Sequence, residues 1–465
     1  MVRNAPILRR VIVAGVTLVG MISTARIAQA ETLGQALVRL YNSSPDLMAA
    51  RYVAENTNEI FNQVAANALP QVTSTWQGSY DRAYTELLSN ELVPSSAARP
   101  NPSGGLSAGI SVTQTISPVV SGGVVQTRKS IEGGWAGYDQ SEQQIILNGI
   151  LTYLGVIRAR QSISLQAGNI TLLENQLDAA QSRYDAGSGT RTDIAQVASS
   201  LADARAGVQQ ADGDFAISRA TYRQVFGIEP NGLIFPGLPT NMPNSLNAAR
   251  AAAMKNNPSI RSAMVALEEA EAKKAVTEAE LKPSYQVGMS AQRNQDILNG
   301  GGTTNLSTSF GVSIPIYGNR QISKSKIRQD EIAIKRLREQ LSSAQAAVEQ
   351  QVVQAWNQYV TAQAVGGARA SQITAAELSL RGAEAELDAG TKTGTDVISA
   401  QQSLTQAQVS AANARVDVLQ GAYNLVAAMG MLSARDLGLP VRYYEPEREF
   451  ENRKIQNLAT LLYDR

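Results

Sequence analysis

The 465-residue sequence contains no cysteine and no histidine. Their absence removes thiol nucleophiles, imidazole general bases, the Ser-His-Asp arrangement and Cys/His zinc sites in one step. It also removes the cysteine on which a lipoprotein anchor is built. Charge is sparse: 17% of residues are charged and the net charge is +1, so there is no basic field to gather nucleic acid and no acidic tail. An enzyme would have to run on carboxylates, lysine or tyrosine, and no acidic pair stands out as a glycan-cleaving constellation. No metal or cofactor is expected, and no catalytic residue is assigned.

Long apolar runs are missing as well, except at the N-terminus. Arg3, Arg9 and Arg10 precede an apolar stretch from Val11 to Ile22, and Ala28-Gln29-Ala30 is a small-residue cleavage site. This is the pattern of an export signal over residues 1–30, with a mature chain starting near Glu31. The stretch is about a dozen residues, short of the roughly 20 that span a bilayer as a helix. Any membrane contact beyond it must be made by strands closed into a barrel.

What is present is a duplication. "RYDAGSGTRTDIAQVASSLADA" from Arg183 is echoed by "ELDAGTKTGTDVISAQQSLTQA" from Glu386, with Asp185-Ala186-Gly187, Thr190, Thr192-Asp193, Ser200-Leu201 and Ala204 all recurring at an offset of 203. Upstream, Pro45 pairs with Pro258 and Pro70 with Pro283 at an offset of 213. Each half opens with a short helix ending before a proline, then a second helix of about two dozen residues that a Leu-Pro or Leu-x-Pro stops. Pro-rich "EPNGLIFPGLPTNMP" separates the halves. The expected division is a first repeat over 31–243, a second over 244–440, and a charged C-terminal tail over 441–465 that wraps outside the helices or frays.

After each helix-stopping proline the hydrophobic period changes to two. Val72, Trp76, Tyr80 and Tyr84 alternate with polar neighbours, as do Leu106, Ala108, Ile110, Val112 and Ile116. The second half repeats this with Tyr285, Val287, Met289 and Ala291, then Leu306, Phe310, Val312, Ile314 and Ile316. Strands are expected at about 71–84, 106–117, 284–293 and 306–317, with polar loops at 85–105 and 294–305. One apolar face and one Ser/Thr/Gly/Gln face fit a membrane barrel with a wet lumen, or a soluble sandwich with one wet side. Four strands cannot close a membrane barrel, so the barrel reading requires several copies. The helical pattern from Val119 to Tyr184 amounts to roughly 100 Å, and matches two shorter helices laid end to end. Its Ala-, Gln- and Ser-rich surface suits narrow seams between curved neighbours.

These ordered features resemble the TolC family of trimeric outer-membrane channels. The likeness rests on the signal, the duplicated helix-hairpin-helix-turn-helix halves, the Leu-Pro stops, "VTQTISPVVSGG" and "VSIPIYGNR" closing the hairpins, and both Ala-Gly turns. The resemblance implies an α+β membrane protein, in which four strands per protomer complete a twelve-stranded β-barrel in a homotrimer. Below it runs a long periplasmic helical barrel. It also implies outer-membrane lipid around the strands, a periplasmic adaptor protein and an inner-membrane pump of the RND or ABC type.

By the same resemblance the turns at about 185–193 and 388–396 form the periplasmic tip. Gly187, Ser188, Gly189, Gly390 and Thr391 would meet the adaptor, although helix-capping and turn roles already account for such residues. Asp396 would contribute a carboxylate ring at the narrowest point, with Ser399 standing where the family often has a second Asp. Lys392 would reach Asp193 as a closed-state latch, without the bidentate fork of an arginine. Asp193 and Asp396, each behind a threonine at a helix restart, also suit N-cap roles. Trp76, Tyr80 and Tyr84 suit an aromatic girdle or ordinary strand packing. The function expected is a passive, gated exit duct for small molecules or proteins. The alternative is a secreted or surface coiled-helix structural protein, which heat-modifiable trimers in the outer-membrane fraction would distinguish.

Overall fold

A computed structural model describes residues 30–84, 100–298 and 300–454. The expected export signal, most of the first hairpin loop and the last eleven positions of the tail lie outside the described residues.

The chain runs α1 (Leu33–Ser43), α2 (Pro45–Ala66), β1 (Gln71–Tyr84), β2 (Pro100–Ile116), α3 (Pro118–Asp185) and α4 (Arg191–Phe226). It then repeats the order as α5 (Leu246–Asn256), α6 (Pro258–Ala279), β3 (Ser284–Asp296), β4 (Gly301–Ser313), α7 (Asn319–Asp388) and α8 (Gly394–Ala428), and ends in α9 (Pro446–Lys454). The prolines act as punctuation. Ser44 and Asn257 cap α2 and α6, each with proline at the first helical position, where its missing N–H has no intrahelical partner to lose. Ser117 and Pro118 start α3 in the same way.

The four strands form one antiparallel sheet in the order β1-β2-β3-β4, leaving β1 and β4 as open edges. Several boundaries differ from the expected ones. β2 begins at Pro100, not near 106, because backbone pairing with β1 runs on from Ser79 opposite Gly105 to Tyr84 opposite Pro100. Residues 294–305 are not a long loop: β3 continues to Asp296 and β4 starts at Gly301, with Asn294 opposite Thr303 and Asn305 opposite Gln292. Backbone pairing carries both strands past the point where hydrophobic alternation fades. At the other end β4 stops at Ser313 although Ile314 and Ile316 keep the alternation, because Pro315 has no N–H for the ladder.

The long helices, of 68 residues in α3 and 70 in α7, are each about 100 Å in length at 1.5 Å per residue. Near the sheet α3 lies between α2 and α6, with α7 beyond α6; farther down α3 lies between α4 and α8, with α7 beyond α8. The largest buried cluster sits where the short helices meet the long ones, with Leu40, Tyr153, Leu154, Tyr222, Phe226 and Leu425 fully enclosed. Gly430 ends α8 in the left-handed region at φ 75°, and a Cβ there would come within 2.6 Å of the Asn256 carbonyl oxygen. Asn257 donates its side-chain amide to the Ala428 carbonyl at 2.9 Å, tying the α5–α6 elbow to the end of α8.

Over its described residues the tail does not fray, but forms α9 and packs against α2 and α3. Phe450 of α9 is buried, packed edge-on against Phe61 of α2 at 5.0 Å and against Trp135 of α3 at 5.9 Å. Asn58, buried, donates to the Pro446 carbonyl and accepts from the Trp135 indole N–H. Apolar burial outweighs the segment's charge, which stays on its outer side.

Candidate functional site: the sheet faces and the helical tips

The sheet has two chemically distinct faces. Register sets Val72, Val112, Met289 and Thr308 in one row, with Ser74, Ile110, Ala291 and Leu306 in the next. Toward the helices the same face carries Ile116, Tyr285 and Val312, and away from them Trp76, Ala108, Arg293 and Thr304. Val72, Trp76, Leu306 and Phe310 are largely exposed on it. From Ile116 to Ala108 this belt measures roughly 20 Å once a strand tilt near 40° is allowed for, close to the apolar band of an outer-membrane barrel.

Trp76 and Tyr80 share the apolar face at its upper margin, where Arg293 marks the return of charge. Trp76 donates its indole N–H to the Ser74 hydroxyl at 3.1 Å. Tyr84 closes β1 opposite Pro100, and its side chain lies outside the described residues. The opposite face carries Thr73, Thr75, Gln77, Ser107, Ser111, Gln286, Ser290, Gln292, Ser307 and Ser309, a surface made for water.

At the far end of the long helices the two turns are built alike. In the first, Gly187 takes φ 78°, Ser188 and Gly189 donate their N–H groups to the Arg183 carbonyl at 2.9 and 3.0 Å, and the Ser188 hydroxyl donates to the same oxygen. In the second, Gly390 takes φ 73°, Thr391 and Lys392 donate to the Glu386 carbonyl at 2.9 and 3.2 Å, and the Thr391 hydroxyl joins them. The left-handed glycine closes each helix, and the next residues absorb its last free carbonyl.

The restarting helices correct one expectation. The N-caps are Thr190 and Thr393, not the aspartates, which occupy the third helical position of capping boxes. Asp193 accepts from the Thr190 N–H at 3.1 Å and hydroxyl at 2.8 Å, and Asp396 from those of Thr393 at 2.9 and 2.8 Å. The Thr393 N–H, then its hydroxyl, hold the Asp396 carboxyl below the usual range. Ser399 is exposed one turn on from Asp396 and donates to the Thr395 carbonyl.

Lys392 is not joined to Asp193 within the chain. Its ammonium pairs with Glu386 at 2.9 Å, and that partner raises its pKa. The turn folds the lysine back over the helix it has just left, which puts the carboxylate six residues earlier within reach. In the first turn the corresponding device is Arg191, whose Nε donates to the Tyr184 hydroxyl at 3.0 Å. Behind the tips, Ile398 of α8 is buried with Leu173, Ala180, Val197 and Leu201 of α3 and α4. Gln402 reaches the Ser200 hydroxyl at 3.3 Å. Glu386 and Ile398 carry no motif of their own, and only the fold shows that they matter at this site.

No described helix is long and apolar enough to cross a membrane, a statement that leaves the strands untouched. Comparison with known proteins gives one consistent picture. A sequence profile described as outer membrane efflux protein matches residues 36–227 and 250–431. The outer membrane efflux protein BepC of Brucella suis is 30% identical over 454 residues, covering 95% of each chain. The outer membrane protein TolC of Escherichia coli is 24% identical over 447 residues, covering 92% of this chain and 87% of that one. Among solved structures, the outer membrane channel CmeC of Campylobacter jejuni superposes with a TM-score of 0.72 at 13% identity, covering 90% of this chain and 88% of the other. The open-state MtrE channel of Neisseria gonorrhoeae gives 0.69 at 18% identity, over 86% and 88%. With its profile matched over both halves and its strands and long helices arranged as in these channels, the chain belongs to the outer membrane efflux protein family.

Proposed function

We infer that this protein is the passive exit duct of an efflux or type I secretion system, seated in the outer membrane and extending into the periplasm. The observation that carries this reading is the four-stranded sheet, with a lipid-facing side, a wet side and two open edges, running directly into helices about 100 Å long. Backbone groups on an open edge are intolerable in hydrocarbon, so β1 of one copy pairs with β4 of another. Three copies close a twelve-stranded wall and stack their helices into a tunnel.

In this reading residues 1–30 are removed on export, and 31–243 and 244–440 act as the two structural repeats of each protomer. The tips form the gate. Asp396 and Ser399 line its narrowest point, where carboxylates facing one axis favour cations. Lys392 exchanges between Glu386 at the end of α7 and Asp193 at the start of α4, the second pairing belonging to the closed state. Gly187, Ser188, Gly189, Gly390 and Thr391 present small side chains at the outermost point, where the helical hairpins of a periplasmic adaptor can approach closely. An inner-membrane pump of the RND or ABC type supplies the energy and the selectivity, since a duct lined by Ser, Thr, Gln and Gly is permissive.

The test is planar-bilayer conductance of the purified, detergent-extracted protein. Discrete cation-preferring channels support the duct. A folded, trimeric protein that never inserts or conducts overturns it.

A further inference from the structure

The lower margin of the apolar belt continues into a surface that the duct reading leaves unexplained. Between the end of β4 and the start of α7, Ile314, Ile316 and Tyr317 are exposed, the last two almost completely. Three large apolar side chains on irregular backbone are poorly placed in water and well placed at a membrane interface, where tyrosine concentrates. Immediately below them α7 carries Arg320, Lys324 and Arg328, four residues apart and therefore on one side of the helix. All three are exposed in the single protomer, as is Lys282 just beyond the end of α6. None of the four forms an ion pair or side-chain hydrogen bond among the described residues, even though carboxylates are close in sequence. Those carboxylates are committed elsewhere: Glu280 to Lys326 at 3.1 Å and to the Ser323 hydroxyl, Asp330 to Lys273 and Thr277, and Glu331 to Lys274.

The packed side of α7 here is the one bearing Ser323 and Asp330, which are buried against α6. Arg320, Lys324 and Arg328 lie off that side. Arg320 is three residues from Tyr317, and Arg328 lies about 12 Å farther along the helix axis. Arginine and lysine stems extend several ångströms and can turn their heads upward to one level. The first repeat lacks the two upper cations: α3 begins with a Ser117 cap and Pro118, and its first cation, Arg128, lies at the depth of Arg328. In the second repeat the long helix α7 starts after Gly318 with no side-chain cap and no acidic residue in its first turn. Cations beside the positive end of a 70-residue helix repel it unless an anion stands opposite.

We propose that Lys282, Arg320, Lys324 and Arg328 form a basic collar beneath the barrel that binds the phosphate headgroups of anionic phospholipid in the periplasm-facing leaflet. The proposal rests on the outer-membrane placement of the strands. Charge complementarity and continuity with the lipid-facing belt single out this partner. The collar fixes the depth of the barrel and holds a shell of anionic lipid around its lower rim, one cluster per protomer.

The experiment compares the full-length trimer with the Arg320→Gln/Lys324→Gln/Arg328→Gln variant, each reconstituted into vesicles of three parts phosphatidylcholine to one part phosphatidylglycerol. Lipid retained after extraction into polymer discs is measured, and conductance is recorded from the same vesicles. The expected result is phosphatidylglycerol enrichment around the wild-type trimer that falls roughly tenfold in the variant and weakens with salt. A charge-preserving Arg320→Lys/Lys324→Arg/Arg328→Lys variant should retain it. Equal retention by wild type and neutral variant overturns the collar even if both conduct. Equal retention with a shift toward cation selectivity overturns it too, by placing these side chains in the lumen. Loss of conductance in both proteins counts instead against the duct reading. If the triple variant fails to assemble, Lys324→Gln alone is read in the same assay, and unchanged retention again overturns the proposal.

Discussion

Lys392 and Glu386 form an ion pair at 2.9 Å across the second helical turn, and this pair competes with any reach of Lys392 toward Asp193. Glu386→Gln frees the lysine without altering the turn's backbone, whose Glu386 carbonyl still accepts from Thr391 and Lys392. In planar bilayers Glu386→Gln should lower the open conductance, and Lys392→Ala should raise it. No change in either variant would remove Lys392 from the gate.

At the proposed constriction Asp396 should set a pH dependence whose sign follows from its partners. Its carboxyl is held below the ordinary value of 3.8 by the Thr393 N–H and then the Thr393 hydroxyl. A group with a depressed folded pKa makes its contribution above the unfolded value and loses it as pH falls through the folded one. Cation preference should therefore be the same at pH 7 and pH 5 and decline only below the ordinary carboxylate range. Asp396→Ala should reduce the preference at every pH. Reversal potentials in a salt gradient measure both effects.

Glu142 gives the opposite sign. It is buried, accepts from the Ala434 N–H at 2.8 Å, and burial raises its pKa above 4.5 despite that bond and the nearby Tyr138 and Arg51, with Asp139 reinforcing the rise. A raised folded pKa favours the folded state below the unfolded value and loses that contribution as pH rises through the folded one. Glu142→Gln keeps an acceptor for Ala434 and removes the buried charge. The variant should melt a few degrees higher than wild type at pH 7 and alike near pH 4, as followed by thermal unfolding of the trimer.

Phe450 is the anchor of the tail. Phe450→Ala removes its ring from between Phe61 and Trp135 and should destabilise the local packing by about 3 kcal/mol or more. Limited trypsin digestion should then cut faster at Arg448 than in the wild type. Conductance should be unchanged, because α9 packs near the short helices, away from the tips.

Gly430→Ala combines a left-handed backbone position with a Cβ 2.6 Å from the Asn256 carbonyl oxygen. The elbow must move or α8 must unwind, so trimer yield and melting temperature should both fall. Gly187→Ala, also at a left-handed φ of 78° but with nothing within 4 Å of a Cβ, bears the backbone strain without the clash, so its smaller cost isolates the contribution of the close approach at Gly430.

What could be read from the sequence follows from the range of the interactions. Pro70 and Pro283 act as stops through their own covalent chemistry, and Val72 to Tyr80 alternate because a strand's period is local. The Ala-Gly turns are legible for the same reason. Ile314 and Ile316 mislead because side-chain alternation persists where Pro315 has already broken the ladder. Phe450 could not be placed, since its partners Phe61 and Trp135 are more than 300 residues away and its own segment is charged. Thr190 and Thr393 were the better cap candidates by position. A carboxylate at a helix restart reads as functional, whereas the first task of Asp193 and Asp396 is to accept from the N–H of their own helix caps. The Lys392 to Glu386 pair depends on a turn geometry that side-chain spacing alone does not encode.

The two unpaired strand edges also bear on biogenesis. A solitary copy that entered the bilayer would expose both edges of its sheet to hydrocarbon, at several kcal/mol for each unsatisfied group. In the proposed trimer these edges are satisfied only when β1 of one copy pairs with β4 of the next, which couples insertion to assembly. In that trimer a protomer that cannot offer a matching edge would leave its neighbours' edges open, so the incomplete sheet would itself select against leaky partial barrels.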